Sequence, residues 1–289
     1  MKKTVLITDV DNTLFDWVDV WHASFTSMME TAAKITGVPL DEIYDAARAV
    51  HQKHGTSEYA FVLEEIPAFR NLYGVEVTTK LAPAIDAFRQ ARRTKLKLYN
   101  GVESTLVALR ERGVLIVAYT ESMAYYTNYR FRKLGLDHLV DHLYSPPDHQ
   151  LPVESPQEIR HYPPDVYEMS HTIHSHTPAG ELKPNPHILQ AILSDQGRTS
   201  SESVYIGDSL MKDIAMAQQA GVDDVHASYG VAQHREQYEL LKRVTHWTAA
   251  DVTREQQITN GATVTPNRIL SSNFGELLQL FDWGSQNAR

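Results

Sequence analysis

Short apolar runs alternate with helical patterns along most of this chain, and this alternation constrains the fold most strongly. Val5-Leu6-Ile7 is a short apolar run bounded by polar residues, which is typical of a buried central strand. Comparable runs lie at 114–119, 139–144 (weaker), 203–206, 222–226 and 268–271. Helical patterns lie at 103–112, 122–134, 186–196 and 210–220, and each stops at a glycine. Such an alternation predicts an α/β fold whose core is a Rossmann-like, doubly wound parallel sheet.

Two segments interrupt this alternation. Residues 17–98 show no convincing central strand, and helical patterns occur there at 17–36, 40–54, about 57–65 and 81–93. We therefore expect an inserted all-helical cap at 17–98 and an α/β core made of residues 1–16 and 99–289. The second interruption, at about 145–180, contains seven prolines and five histidines. A loop of this length is uncommon as a plain connection, so we expect an auxiliary insert on the core.

The end of the chain and the bulk composition add weaker expectations. An edge strand at 269–273, a last helix at 274–281 and a loop at 256–267 are predicted. The chain has 289 residues, no cysteine and a formal net charge of −9. These values exclude thiolate catalysis and disulfides, and they disfavour a nucleic-acid partner. No stretch approaches the ~18 apolar residues of a membrane span, so we expect a cytoplasmic protein, with homo-oligomerisation left open.

Two aspartates, Asp9 and Asp11, follow the first predicted strand directly. The carboxyl ends of parallel strands border the crevice in which open α/β sheets bind ligands. Two carboxylates so close together repel each other, and either a divalent cation or a proton on one of them relieves the repulsion. A plain turn also explains Asp11-Asn12, because both residue types favour turns. The pair alone therefore does not decide the function.

Three more segments place polar residues where a predicted strand ends or a helix begins. They are Thr120-Glu121-Ser122, Lys183-Pro184-Asn185-Pro186, and the run from Gly207-Asp208-Ser209 to Asp213. Together with the run from Asp9 to Thr13 they form four motifs in order. These motifs resemble those of the haloacid dehalogenase (HAD) superfamily of phosphotransferases, over residues 4 to about 230. The helical block at 17–98 resembles the C1-type cap of that superfamily.

The resemblance implies a phosphoric monoester hydrolase that acts on a small phosphorylated metabolite through an aspartyl-phosphate intermediate. Asp9 would be the catalytic nucleophile, and Asp11 the catalytic general acid and base. Thr120 would bind phosphate oxygens next to a helix N-terminus. Lys183 would neutralise charge on the transferring phosphoryl group and on Asp9.

The resemblance also implies a Mg²⁺ ion, because carboxylates, carbonyls and waters are the ligands that this ion prefers. Asp9 and Asp208 would supply carboxylate oxygens, and Asp11 would join the metal ligands through its backbone carbonyl. Asp213 would play a supporting part, either as a ligand through water or by holding Lys183.

Other reactions of the superfamily remain open at this point. A phosphomutase shares every core residue named above. A dehalogenase is disfavoured because its chemistry does not need Asp11 as an acid, and a phosphonate hydrolase would need a cap lysine, for which Lys34 and Lys53 are weak candidates. A non-catalytic relative that only binds a phosphorylated ligand is disfavoured, because such a protein has no use for both Asp9 and Asp11.

Two groups of residues outside the motifs carry weaker signals. His171, His174 and His176 lie close together with His161 and Asp165 upstream, but this spacing fits no zinc motif with a mechanism. A solvated loop, or one histidine that reaches the substrate over the active site, is favoured instead. The basic cap residues Arg48, His51, Lys53 and His54 could meet a second anionic group of the substrate, although a solvated helix face is the simpler expectation.

Two further expectations concern single side chains. Trp17 and Trp21, at helical spacing, predict core packing rather than a substrate contact. Glu121 stands where the superfamily often has Asn or Ser, and we expect its side chain to face solvent.

Overall fold

The structure is a computed structural model, and it describes residues 2–148, 168–178, 180–248 and 264–284. These residues form two compact units. Unit 1 comprises the residues up to Asp16, Lys97–Val231 and the described residues after 262. Unit 2 comprises Trp17–Leu96 and the described residues that begin at Ala232. No helix in the described residues is both long and apolar enough to span a bilayer.

Within the described residues, unit 1 contains one parallel sheet of seven strands. They are β1 (Val5–Thr8), β2 (Leu115–Tyr119), β3 (His142–Ser145), β4 (Ile173–His176), β5 (Ser203–Gly207), β6 (Asp223–Ala227) and β7 (Ile269–Leu270). The order is β4-β3-β2-β1-β5-β6-β7, and every neighbouring pair is parallel. Leu6 is paired with Ile116 on one side and with Val204 on the other. The predicted α/β fold with a doubly wound parallel sheet is confirmed.

Helices account for most of the remaining described residues. They are α1 (Trp17–Thr36), α2 (Leu40–His54), α3 (Val62–Glu65), α4 (Pro67–Tyr73), α5 (Val77–Lys80), α6 (Ala82–Lys95), α7 (Val102–Glu111), α8 (Ala124–Lys133), α9 (Pro186–Asp195), α10 (Ala215–Gln219), α11 (Glu236–Val244) and α12 (Leu277–Leu280). A π-helical turn covers Leu210–Ile214. Short 3₁₀ turns cover Gly74–Glu76, Leu136–His138, Ser200–Glu202, Ser228–Gly230 and Phe274–Glu276.

Strand β1 is the centre of unit 1, and its side chains are completely buried. The chain runs from β1 outward to β2, β3 and β4, and it then returns to β5 on the other side of β1. This return creates the point at which the strand order reverses, and open α/β sheets bind ligands beside the carboxyl ends of the strands there. Asp9 follows β1 and Asp208 follows β5, so the fold places both carboxylates at this point.

Unit 2 is helical, and aromatic side chains form much of its core. The rings of Trp21 and Phe25 stack with centroids 5.0 Å apart, and Phe25 stacks on Tyr44 at 6.0 Å. Trp21 is only 4% exposed, which confirms its predicted packing in the core. Inside the predicted cap, however, the stretch 57–65 is helical only over α3, and α4 and α5 are helices that the sequence pattern did not predict.

Helix α11 corrects the predicted division of the chain. The sequence pattern assigned residues 99–289 to the core, but the described residues from Ala232 pack within unit 2. His51 Nδ1 on α2 donates a hydrogen bond to the carbonyl oxygen of Val244 at 2.6 Å, and Arg243 forms a salt bridge with Asp41 at 2.7 Å. These long-range contacts join two segments that lie nearly two hundred residues apart, which no local pattern indicates.

The predicted auxiliary insert at 145–180 also differs from expectation where it is described. Strand β4 lies inside it and pairs in parallel with β3, so this part of the insert is the edge of the sheet. The polar sequence Ile173-His-Ser-His lacks the apolar run of a buried strand because an edge strand is half exposed. Residues 149–167 and 179, with His161 and Asp165 among them, lie outside the described residues.

Candidate active site

Asp9 lies at the carboxyl end of β1 and is 7% exposed. Its backbone N–H donates to the carbonyl oxygen of Ile206 at 2.8 Å, which continues the pairing of β1 with β5 by one residue. Asn12 then adopts a left-handed backbone conformation with φ of 59°, which Asn tolerates better than most residues. This turn brings the Thr13 hydroxyl back to donate to Asp9 Oδ2 at 3.0 Å.

The Lys183 ammonium lies between two buried carboxylates. Its Nζ is 2.6 Å from Asp9 Oδ1 and 2.9 Å from Asp213 Oδ1. It also lies 4.8 Å from the ring centroid of Tyr119 and 5.6 Å from that of Tyr205. Burial alone would lower the pKa of Lys183, but the two carboxylates outweigh it and hold the pKa well above its ordinary value. Lys183 is therefore a permanent cation beside Asp9.

Three carboxylates converge at this point. Oxygens of Asp9, Asp208 and Asp213 lie within 4.8 Å of one another, and in the described part of the chain no other acidic or histidine group meets this condition. Burial raises the pKa of Asp9 to about 7, partly offset by Lys183, and burial also raises the pKa of Asp208 well above its ordinary range. Burial and mutual repulsion disfavour negative charge on these carboxyl groups, and a hard divalent cation such as Mg²⁺, which fits this set of oxygen donors, would relieve the repulsion.

The Asp213 side chain accepts further hydrogen bonds within the site. Besides Lys183, its carboxylate accepts hydrogen bonds from the Tyr205 hydroxyl at 3.0 Å and from the Ser209 N–H at 3.1 Å. It is 2% exposed. Of the two supporting parts that the sequence left open for Asp213, the structure shows direct contact with Lys183. Gly207 makes room for it, because a Cβ at Gly207 would lie 2.3 Å from Asp213 Cγ.

The Asp11 carboxylate points to a different set of partners. Its Oδ2 accepts from the Ser122 hydroxyl at 2.6 Å and from the Thr120 hydroxyl at 3.1 Å, and its Oδ1 lies 3.5 Å from Arg130 Nη1. The Arg130 side chain is 3% exposed and lies over the Phe15 ring. Asp9 and Asp11 therefore share a turn but not an environment. The predicted metal contact of Asp11, through its backbone carbonyl, stays a prediction.

Contrary to the prediction, the Glu121 side chain does not face solvent. Its carboxylate accepts from the Lys183 backbone N–H at 2.8 Å and pairs with Lys212 Nζ at 2.7 Å. Burial alone would raise the pKa of Glu121, but Lys212 and Lys183 outweigh it and lower the pKa below its ordinary value. Glu121 thus joins three segments that carry the site.

Several residues of the site were missed by the sequence interpretation. They are Ser122, Arg130, Tyr205 and Lys212, which were not predicted as functional residues, and Glu121, whose orientation was predicted wrongly. Ser122 and Lys212 lie inside the recognised motifs, so their position was a usable signal. Arg130 offered none, because a single arginine in an amphipathic helix is ordinary.

The weaker candidates do not form a site in the described residues. His171 contacts His138 at 4.2 Å and His174 contacts His176 at 4.7 Å between ring centroids, but three nitrogens do not converge. In unit 2, Lys53 and His54 both pair with Glu65. His51 is 1% exposed and bonded to a carbonyl, so it is part of the core of unit 2.

Comparisons with known proteins identify relatives of this chain. The model of a family described as haloacid dehalogenase-like hydrolase matches residues 3–221. A glyceraldehyde 3-phosphate phosphatase from Methanopyrus kandleri is 27% identical over 244 residues, which are 82% of this chain and 88% of that protein.

Solved structures share the fold at low identity. A 2-haloacid dehalogenase from Pseudomonas syringae pv. Tomato matches with a TM-score of 0.52 and 18% identity, over 96% of this chain and 97% of that one. A β-phosphoglucomutase candidate from Thermotoga maritima matches with a TM-score of 0.51 and 14% identity, over 96% and 97% of the two chains. The two carry the names of different reactions, so the shared fold does not select one. The family match covers more than half of the chain and includes all four motifs, and this protein therefore belongs to the haloacid dehalogenase-like hydrolases.

Proposed function

We propose that this hydrolase is a Mg²⁺-dependent phosphatase that removes phosphate from a small phosphomonoester through an aspartyl-phosphate intermediate on Asp9. The observation that carries the proposal is the separation of two neighbouring carboxylates into two environments. Asp9 contacts the Lys183 ammonium among the converging carboxylates, whereas Asp11 is bonded to Thr120 and Ser122. A nucleophile and a separate acid are the two groups that double displacement at phosphorus requires.

In the first step, a carboxylate oxygen of Asp9 attacks phosphorus and the bond from phosphorus to the ester oxygen breaks. A protonated Asp11 gives its proton to that leaving oxygen, which departs as an alcohol. Lys183 offsets negative charge on Asp9 and on the transferring phosphoryl group. A bound Mg²⁺ would be held by Asp9 and Asp208 and would supply charge neutralisation at the phosphoryl oxygens.

In the second step, Asp11 takes a proton from a water molecule that attacks phosphorus. The bond from phosphorus to the Asp9 oxygen breaks, inorganic phosphate leaves, and both carboxylates return to their starting states. The Thr120 hydroxyl donates to Asp11 in the structure. It would bind a phosphate oxygen once it is released from that bond.

The substrate we propose is a small phosphorylated metabolite. The relative from Methanopyrus kandleri is a phosphatase of glyceraldehyde 3-phosphate, a three-carbon phosphomonoester, which supports a substrate of this size class. A phosphomutase would need the same core residues, and no contact in the described residues favours it over the hydrolase.

The test is phosphate release from p-nitrophenyl phosphate and from a panel of small phosphomonoesters that includes glyceraldehyde 3-phosphate, with and without Mg²⁺. Asp9→Asn keeps the size of the side chain but removes the nucleophile, and Asp86→Asn makes the same change on a side chain that is 73% exposed. We expect metal-dependent turnover that Asp9→Asn abolishes and Asp86→Asn preserves.

Other outcomes point to other functions. Full activity of Asp9→Asn would contradict the covalent intermediate. Interconversion of phosphate isomers without net phosphate release would identify a mutase, and binding of phosphorylated ligands without any turnover would identify a non-catalytic relative.

A further inference from the structure

The end of β6 and the turn after it lie directly against the two loops that carry the site, although no motif includes them. Residues 226–230 cover the last two residues of β6 and the 3₁₀ turn Ser228–Gly230. They lie beyond residue 221, where the family match ends. We call this segment the β6 support. Three of its residues each contact backbone, either at Asn12 and Thr13 in the turn after Asp9 or at Asp208.

The first contact holds the backbone of Asp208. His226 Nε2 lies 2.9 Å from the carbonyl oxygen of Asp208, and because a carbonyl only accepts, the ring nitrogen is the donor. His226 is 7% exposed. A single orientation of the Asp208 peptide is therefore fixed by a side chain from the neighbouring strand.

The second contact holds the turn that carries the nucleophile. The Tyr229 hydroxyl donates to the carbonyl oxygen of Thr13 at 2.7 Å. The Thr13 hydroxyl in turn donates to Asp9 Oδ2 at 3.0 Å. Tyr229 is itself held by the Tyr99 ring, edge to face with centroids 5.1 Å apart. Two hydrogen bonds thus connect the β6 support to the carboxylate that attacks phosphorus.

The third contact is a close approach of two backbones. A Cβ added to Gly230 would lie 1.8 Å from the carbonyl oxygen of Asn12, and 3.2 Å from Cβ of Asp208. No side chain fits there, so glycine is required at this position by its neighbours rather than by its own backbone conformation. The residue in contact, Asn12, is the one with the left-handed conformation in the nucleophile turn.

We propose that the β6 support positions the catalytic carboxylates, with Tyr229 holding the nucleophile turn through Thr13 and His226 holding Asp208. Tyr229 and His226 are positioning residues, because they act through other groups and not on the substrate. The role in catalysis rests on the proposed function, whereas the role in holding the turn does not.

The first experiment measures how the β6 support holds the nucleophile turn, and it needs no enzymatic turnover. Hydrogen–deuterium exchange of a peptide spanning residues 9–16 reports on the turn, whose Leu14 N–H donates to the Val10 carbonyl at 2.9 Å. Tyr229→Phe removes only the hydroxyl, and we expect about fivefold faster exchange of this peptide, as for the loss of one hydrogen bond. Gly230→Ala should increase the exchange further, because the two backbones must separate.

Tyr144→Phe is the matched control. The Tyr144 hydroxyl is also hydrogen-bonded, to Asp195 and to Gln196 Nε2. Tyr144 lies on β3, and these bonds of its hydroxyl involve none of the four motifs. It should leave the exchange of residues 9–16 unchanged. Unchanged exchange in Tyr229→Phe, or the same increase in Tyr144→Phe, would overturn the proposal.

The second experiment measures steady-state kinetics on the same variants. Displacement of the nucleophile slows attack, so Tyr229→Phe should lower kcat about tenfold with KM nearly unchanged. Faster exchange with an unchanged kcat would overturn the positioning role. If the wild-type protein releases no phosphate from any ester, the proposed function fails, and the exchange experiment still decides whether the β6 support holds the turn.

Discussion

At the scale of single residues, the site separates two aspartates that lie one position apart in the sequence. Asp9 is bonded to Lys183 and Thr13, whereas Asp11 is bonded to Thr120 and Ser122. Identical side chains can perform different chemistry when their surroundings differ, because neighbouring charges and donors decide which form each one adopts. The separate roles of nucleophile and acid that we propose rest on this difference in surroundings.

This division predicts a dependence on the leaving group. In Asp11→Asn the acid is lost, so turnover of an alkyl phosphate should fall about a thousandfold. Turnover of p-nitrophenyl phosphate should fall much less, because p-nitrophenolate leaves without a proton. Rates on the two esters, measured side by side for wild type and variant, test this. An equal loss on both would show that Asp11 is not the acid for the leaving group.

At the scale of elements, the π-helical turn at the end of the run from Gly207 to Asp213 brings two site residues into place. The π-helical turn Leu210–Ile214 begins after Ser209, whose hydroxyl accepts from the Lys212 N–H at 3.2 Å. Lys212 then faces Glu121 while Asp213 faces Lys183. Single π turns inside helices are often found at functional sites. Gly207, at the end of β5, leaves the space that Asp213 occupies.

Gly207→Ala should therefore lower the catalytic rate more than it lowers the stability of the fold. The added methyl group displaces Asp213, Lys183 loses one of its two carboxylates, and we expect kcat to fall about a hundredfold. Val204→Ala on the same strand is the control, since it removes fully buried volume and should cost about 1–3 kcal/mol of the free energy of unfolding while kcat is kept. Comparable kcat values for the two variants would contradict this account of Gly207.

The contact between α2 and α11 makes the stability of unit 2 depend on pH. Burial lowers the pKa of His51 to about 4, against an unfolded value near 6.5, despite the hydrogen bond to Val244, and His246 and His54 act in the same direction. Between pH 4 and pH 6.5, the His51 imidazole therefore binds a proton more tightly in the unfolded chain than in the folded protein. The stability that His51 contributes is therefore complete above about pH 6.5 and decreases as the pH falls toward 4.

When the pH is lowered from 7 to 5, protonation of His51 should decrease the free energy of unfolding by about 2 kcal/mol. His51→Asn keeps a donor for the Val244 carbonyl but does not titrate, so its denaturation curves should change less over this range. Urea unfolding at both pH values, followed by fluorescence, makes the comparison. An identical pH dependence in the variant would show that other groups are responsible.

At the scale of the whole molecule, folding itself assembles the proposed metal site. Asp9, Asp208 and Asp213 come from segments about two hundred residues apart, and only the folded sheet brings their oxygens within 4.8 Å. A cation that binds the folded state and not the unfolded one stabilises the protein by mass action. The repulsion among these carboxylates adds to this effect, because it disappears when the cation binds.

Saturating Mg²⁺ should therefore raise Tm by about 5 °C. Asp208→Asn removes one carboxylate from the set, and its Tm should respond little to the ion. Scanning calorimetry with and without Mg²⁺ provides the measurement, with Asp86→Asn as a variant that keeps the full response. An equal rise in Tm for Asp208→Asn would place the ion elsewhere.

Reading along the chain was enough to predict the class of fold, the resemblance to a family and the set of motifs. Val5–Ile7 form the central strand as predicted, and Asp9 and Asp208 each directly follow a strand. These features are local: the apolar pattern of a strand, its end and the order of the motifs depend on neighbouring residues, so they can be interpreted along the chain.

Which distant groups meet became known from the folded protein alone. Arg130 lies beside Asp11, α11 packs within unit 2, β4 forms a sheet edge from a polar segment, and Tyr229 holds the carbonyl of Thr13. Except for β4, whose polar pattern is uninformative, each of these contacts joins residues more than a hundred positions apart. Local periodicity contains no information about such contacts, because they depend on how complete elements pack and on which buried polar groups must find partners.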